Sequence, residues 1–105
     1  MKIATQLPYK KHVLVCCNER IDGRDCCANV CGKDIFLELK RWVIENNLTT
    51  DIWVTKTGCL GFCNSIGTTV VVYPDKRWFL ETRMDDVENI KKFILDSLSL
   101  SLLSN

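Results

Sequence analysis

Apolar and polar positions follow two rhythms along the chain. His12–Cys16 (H-V-L-V-C) is a short β-branched apolar run, which predicts a buried first strand. Asn18–Asp25 is polar and holds Gly23, so it reads as a loop. From Lys33 to Asn47 the apolar positions Ile35, Phe36, Leu39, Trp42 and Val43 recur at three- and four-residue steps, one face of a helix of roughly four turns. Leu48–Asp51 closes that helix, and Ile52–Thr55 (I-W-V-T) predicts a second strand. Gly58–Thr68 is a glycine-bearing loop that carries Cys59 and Cys63. Thr69–Tyr73, the turn Pro74-Asp75-Lys76 and Arg77–Glu81 read as a β-hairpin. Thr82, three residues before Asp85, predicts a capping-box-like helix start. Val87, Ile90, Phe93, Ile94 and Leu98 mark the buried face of the last helix, which the terminal leucine–serine run extends.

The resulting order, β-α-β-β-β-α, restricts the topology. Strand, helical crossover and strand make a right-handed parallel unit, and the hairpin adds antiparallel strands. The expected fold is a thioredoxin-like α/β sandwich, a four-stranded mixed sheet with helices packed on it. Without repeats, linkers or low-complexity tracts, the chain reads as a single domain, 1–105, with its core at about 12–95. In such a sheet, the loop after the first strand and the loop before the hairpin lie at the same end.

Composition narrows the function classes. Of 105 residues, 47% are apolar and 26% charged, enough for one core. The net charge of +1 suggests neither a nucleic-acid nor a membrane footprint. Met1 to Lys11 has no apolar signal-peptide core, and the runs Val13–Cys17 and Val70–Tyr73 are too short to cross a bilayer. A soluble cytoplasmic protein is expected. There, seven cysteines are poor disulfide partners: the count is odd and cytosolic thiols stay reduced. Cys16–Cys17 and Cys26–Cys27 are adjacent pairs, and neighbours in extended backbone point to opposite sides. One member of each pair can face a site while the other faces away. Thiolate is the ligand of iron–sulfur clusters, and four thiolates fill the two irons of a [2Fe–2S] centre. Small residues such as Gly58 and Gly61 let a C-x-x-x-C loop bring two sulfurs close to one metal. The single histidine, His12, reads as packed or solvent-tipped, and no enzyme constellation of histidine and carboxylate is evident. The expected role is therefore electron carriage, not bond chemistry.

Four segments carry a resemblance: H-V-L-V-C, C-A-N-V-C-G-K-D-I-F, V-T-K-T-G-C-L-G-F-C and V-V-V-Y-P-D-K-R-W-F. Together they resemble the thioredoxin-like [2Fe–2S] ferredoxins over about His12 to Leu95. The resemblance implies Cys16, Cys27, Cys59 and Cys63 as cluster ligands, with Cys17, Cys26 and Cys31 as bystanders and Cys26 as the alternative to Cys27. It also implies a homodimer that exchanges electrons with a donor and an acceptor redox protein. All-cysteine ligation favours the low end of the iron–sulfur potential range. Trp42, Trp53, Trp78 and Phe79 read as core or dimer interface, and Lys33, Lys56, Arg77, Lys91 and Lys92 as basic surface without an assigned docking site. Two other classes remain. A structural zinc site would use cysteines in short knuckles, but Cys16 and Cys27 lie farther apart. A thioredoxin-like thiol–disulfide oxidoreductase needs C-x-x-C, and Cys27-x-x-x-Cys31 has the wrong spacing.

Overall fold

The structure, a computed structural model, describes residues 1–17, 32–61 and 66–103, with side chains to residue 99. The predicted loop Asn18–Asp25, and with it Cys26, Cys27, Cys31 and Cys63, lies outside the described residues. Four strands form one sheet: β1 (Lys11–Cys16), β2 (Ile52–Thr57), β3 (Thr68–Tyr73) and β4 (Arg77–Thr82). Their order is β2-β1-β3-β4, with β1 parallel to β2 and antiparallel to β3, and β3 antiparallel to β4. Helix α1 (Gly32–Glu45) forms the crossover between the parallel strands, and α2 (Val87–Leu103) follows the hairpin. The mixed sheet and element order agree with the expected fold.

Alternation along the strands separates two faces. Val13 and Val15 of β1, Ile52 and Val54 of β2, and Val70 and Val72 of β3 turn to one side. There they meet Ile35, Leu39, Trp42 and Val43 of α1 and Val87, Ile90, Ile94 and Leu98 of α2. Both helices thus cover the same face, and the apolar periodicity of each marks the buried stripe correctly. Lys91 ties the helices together, donating to Glu38 of α1 at 2.6 Å and to Glu88 at 2.9 Å. Arg41 also engages Glu38, and the two cations pull its carboxyl from 4.5 down to about 2, the Arg41 hydrogen bond contributing most. On the opposite face, Val71 is flanked by Leu14 and Trp78 in register, with Trp53 and Leu80 exposed. Tyr9 stacks against Trp53 there, ring centroids 4.4 Å apart. Trp42 is therefore core, whereas Trp53 (45% exposed) and Trp78 (40%) are not.

Strand β2 runs two residues past the expected Thr55, to Thr57, and two helix ends differ from expectation for a local reason. Helix α1 stops at Glu45 rather than Asn47, because the Asn46 side chain donates to the Trp42 carbonyl and Asn47 adopts a left-handed conformation (φ 57°). Thr82 does not cap the last helix. It ends β4 and its hydroxyl donates to the Phe79 carbonyl, while the Arg83 amide donates to Asp86 and a 3-10 turn, Met84–Asp86, leads into α2. The capping position is thus shifted one residue along the chain, to Arg83, and α2 itself begins at Val87.

Candidate cysteine site

The site begins where β1 and β2 end side by side. Parallel pairing sets Cys16 opposite Thr57, and the Cys17 amide continues the ladder by donating to the Thr57 carbonyl at 3.0 Å. Both strands leave the sheet at the same end, as parallel pairing requires. Cys16 is 1% exposed and absent from the helix-side core cluster, whereas Cys17 packs against that cluster. The adjacent pair therefore splits across the sheet, the arrangement that strand alternation predicts.

Gly58 lies between the two described ligand candidates. Its carbonyl accepts hydrogen bonds from Cys16 Sγ at 3.2 Å and Thr57 Oγ1 at 2.9 Å. One residue on, Cys59 is exposed, and its Sγ accepts the Gly61 amide at 3.3 Å. Gly61 has φ of 95°, a left-handed conformation that glycine adopts without Cβ strain and that turns this amide back toward the sulfur. The site thus couples one buried thiol on a strand end to one exposed thiol in a glycine turn.

Residues whose role the sequence pattern does not disclose brace this end from β3. Thr68, read from the sequence as the end of a loop, is the first residue of the strand; its hydroxyl donates to the Cys16 carbonyl at 2.7 Å. Gly67 lies so close to β4 that an added Cβ would sit 2.3 Å from the Glu81 carbonyl carbon. Arg83 Nη1 holds the Ile66 carbonyl at 3.1 Å. Next to Thr68, Thr69 is 1% exposed, and among the described residues its Oγ1 has no hydrogen-bond partner. An unsatisfied buried hydroxyl costs about 1–3 kcal/mol. The available signal is the pair of threonines that open the T-T-V-V-V-Y strand just after the cysteine loop.

His12 takes no part in this site. Its Nε2 contacts Thr55 Oγ1 at 2.8 Å, Tyr9 OH approaches Nδ1 at 3.4 Å, and burial lowers its pKa. The expectation of a packed histidine agrees with these contacts. Among the described residues no three His, Cys, Asp or Glu side chains converge, and two of the four expected ligands, Cys27 and Cys63, lie outside that set.

Comparison with known proteins places this geometry. The chain is 33% identical over 85 residues to a [2Fe–2S] ferredoxin of Clostridium pasteurianum, covering 77% of this chain and 80% of that protein. The chain belongs to the thioredoxin-like [2Fe–2S] ferredoxin family. A [2Fe–2S] ferredoxin of Aquifex aeolicus is 32% identical over 83 residues, 76% of this chain and 74% of that one. The crystal structure of the wild-type thioredoxin-like [2Fe–2S] ferredoxin from Aquifex aeolicus superimposes with a TM-score of 0.70 at 31% identity. That superposition covers 80% of this chain and 84% of the other. No family model matches. Membership in this ferredoxin family agrees with the resemblance read from the cysteine and Y-P-D segments.

A groove borders the site of this ferredoxin on its helix side. Cys17, Thr57 and Gly58 line one end, Phe36 and Leu37 supply its apolar wall, and Lys33 and Lys56 are its charged lining.

Proposed function

We propose that this family member is a one-electron carrier that holds a [2Fe–2S] cluster on Cys16, Cys27, Cys59 and Cys63, within a single domain. The observation that carries the reading is that the carbonyl accepting the Cys16 thiol belongs to Gly58, the residue directly before Cys59, at one end of a ferredoxin-family sheet. The donor chemistry fits: the described candidates are soft sulfur ligands, and the only histidine is engaged elsewhere. When bound, the cluster supplies a centre that accepts and returns one electron. The electron enters from a reduced donor protein and leaves to an oxidised acceptor, with no bond made in either partner, so the chain is not assigned as an enzyme.

The surrounding residues suit that task. Ligation requires the thiolate, so Cys16 must release the proton it donates to Gly58. Thr57 Oγ1 still satisfies that carbonyl, so losing the proton orphans no backbone acceptor. Thr68 holds the Cys16 backbone in place, and the Gly61 amide already donates to the Cys59 sulfur, a contact that stabilises negative charge there. Exposure of Cys59 puts the centre within reach of a partner's surface. The groove bearing Lys33 and Lys56 opens at the same end, which suits transient docking of an acidic redox protein. Trp53, Trp78 and Leu80, exposed on the face opposite α1 and α2, support a homodimer. Among the described residues no helix is long and apolar enough to cross a membrane, and we assign the carrier to the cytoplasm, where thiols stay reduced.

Purified protein tests the reading. The expected preparation is red-brown, bleaches on reduction and contains about two irons and two sulfides per chain. Colourless protein with stoichiometric zinc overturns it in favour of a structural metal module, and metal-free protein that reduces insulin disulfides overturns it in favour of an oxidoreductase.

A further inference from the structure

Thr69 is the one described residue with a buried side-chain oxygen or nitrogen that makes no hydrogen bond. Its position gives that fact a direction. Strands β1 and β3 pair antiparallel with Leu14 opposite Val71 and Val15 opposite Val70. Continuing the register by one step sets Thr69 across from Cys16, and the bond from Thr68 Oγ1 to the Cys16 carbonyl holds the strands together at this level. Alternation gives Thr69 the same face as Val71, the face to which Leu14 and Cys16 belong. Directly opposed residues on one face have Cβ atoms about 4.5–5.5 Å apart. Cys16 lies between two neighbours: Gly58, just past the end of β2, already meets its sulfur, and Thr69, the second residue of β3, brings an unused donor.

We propose that Thr69 is a tuning residue: its hydroxyl donates a hydrogen bond to the Cys16 thiolate or to an adjoining sulfide once the cluster is bound. The assignment rests on the proposed function, because it needs Cys16 as a ligand. A thiol proton on Cys16 is already committed to the Gly58 carbonyl, whereas a thiolate is an acceptor with no proton to place. Binding the cluster therefore puts a strong, proton-free acceptor where the structure holds a neutral thiol, a weak one. The bond stabilises the extra negative charge of the reduced state and so raises the reduction potential. The bland alternative is a threonine standing in for valine in a buried strand, its hydroxyl unsatisfied in every state.

Thr69→Val, which keeps the branched shape, and Thr69→Ser, which keeps the hydroxyl, separate these readings. Each variant is purified with its cluster; iron and sulfide are counted, and the potential is measured by voltammetry with the electrode as electron source. The expected result is a full cluster in all three proteins. Thr69→Val should show about a fivefold weaker equilibrium for reduction, a downward shift of about 40 mV at 59 mV per tenfold change. Thr69→Ser should stay near the parent. Pulsed EPR of the reduced protein in D2O should show one exchangeable deuteron fewer near the cluster in Thr69→Val. An unchanged potential and deuteron signal with full iron content overturns the tuning assignment, as does loss of the cluster from a folded Thr69→Val protein, which would make the role structural. A parent protein without iron would instead refute the proposed function itself.

Discussion

The helix-covered platform and the cysteine end of this molecule are built on opposite plans. In the platform, Val13, Val15, Ile35, Leu39, Val70, Val72 and Ile94 are fully buried, and charges such as Lys91 reach the interior only with a carboxylate partner. At the cysteine end the backbone carries most of the order: one carbonyl takes two donors, one amide points at a sulfur, and one threonine grips a strand end. The difference shows how a small carrier separates tasks. Packing of apolar side chains supplies stability, while main-chain dipoles and short polar side chains prepare a place for a charged group.

If that division is real, substitutions at the two regions should fail differently. The largest effect belongs to the proposed ligands. Cys59→Ser and Cys16→Ser should each reduce iron content severely, yet metal-free Cys59→Ser should melt close to the parent because Cys59 is exposed. Metal-free Cys16→Ser should melt lower, since a hydroxyl would replace a thiol that is 1% exposed. Equal melting of the two would erase the contrast between a strand-end and a loop ligand. Next comes Gly67→Ala, at the joint between the regions. Its Cβ would collide with Glu81 and Thr82 backbone, so a loss of about 1–3 kcal/mol and a melting temperature lower by roughly 5–20 °C are expected in thermal denaturation. The smallest effect lies in the platform. Glu38 has its pKa lowered from 4.5 to about 2 by hydrogen bonds from Arg41 and Lys91. Its contribution to stability is present above about pH 4.5 and fades as pH falls toward about 2. The gap in melting temperature between the parent and Glu38→Gln should therefore narrow over that window, and a gap independent of pH would remove Glu38 from the account.

The same contrast explains what could be read from the sequence. Spacing in Ile35, Leu39, Trp42 and Val43, and in Val87, Ile90, Ile94 and Leu98, is set by burial, so both helices and their inner faces were legible. Strand β1 was placed within one residue, and the split of Cys16 from Cys17 followed from alternation alone. Thr82 misled because the pattern of a cap does not reveal that its hydroxyl is claimed by the Phe79 carbonyl. Thr68 and Thr69 stand out in the sequence without disclosing their roles: whether a threonine hydroxyl grips a neighbouring strand or waits without a partner depends on register, which emerges only when β1 and β3 pair. Trp42 reads as core from its place in the apolar stripe of α1, whereas the exposure of Trp53 and Trp78 emerges only when both helices cover the other face.

The parallel pairing of β1 with β2 has a geometric consequence for any such site. Strand β2 runs from Ile52 to Thr57, roughly 17 Å at about 3.3 Å per residue. Were it to run the other way beside β1, the turn bearing Cys59 would emerge at the far rim of the sheet, that distance from Cys16. A hairpin reverses direction and would give that unwanted polarity; only a crossover returns the chain to the starting edge with its heading preserved. Helix α1 is therefore the detour that lets the strand end at Cys16 and the turn bearing Cys59 leave the sheet side by side.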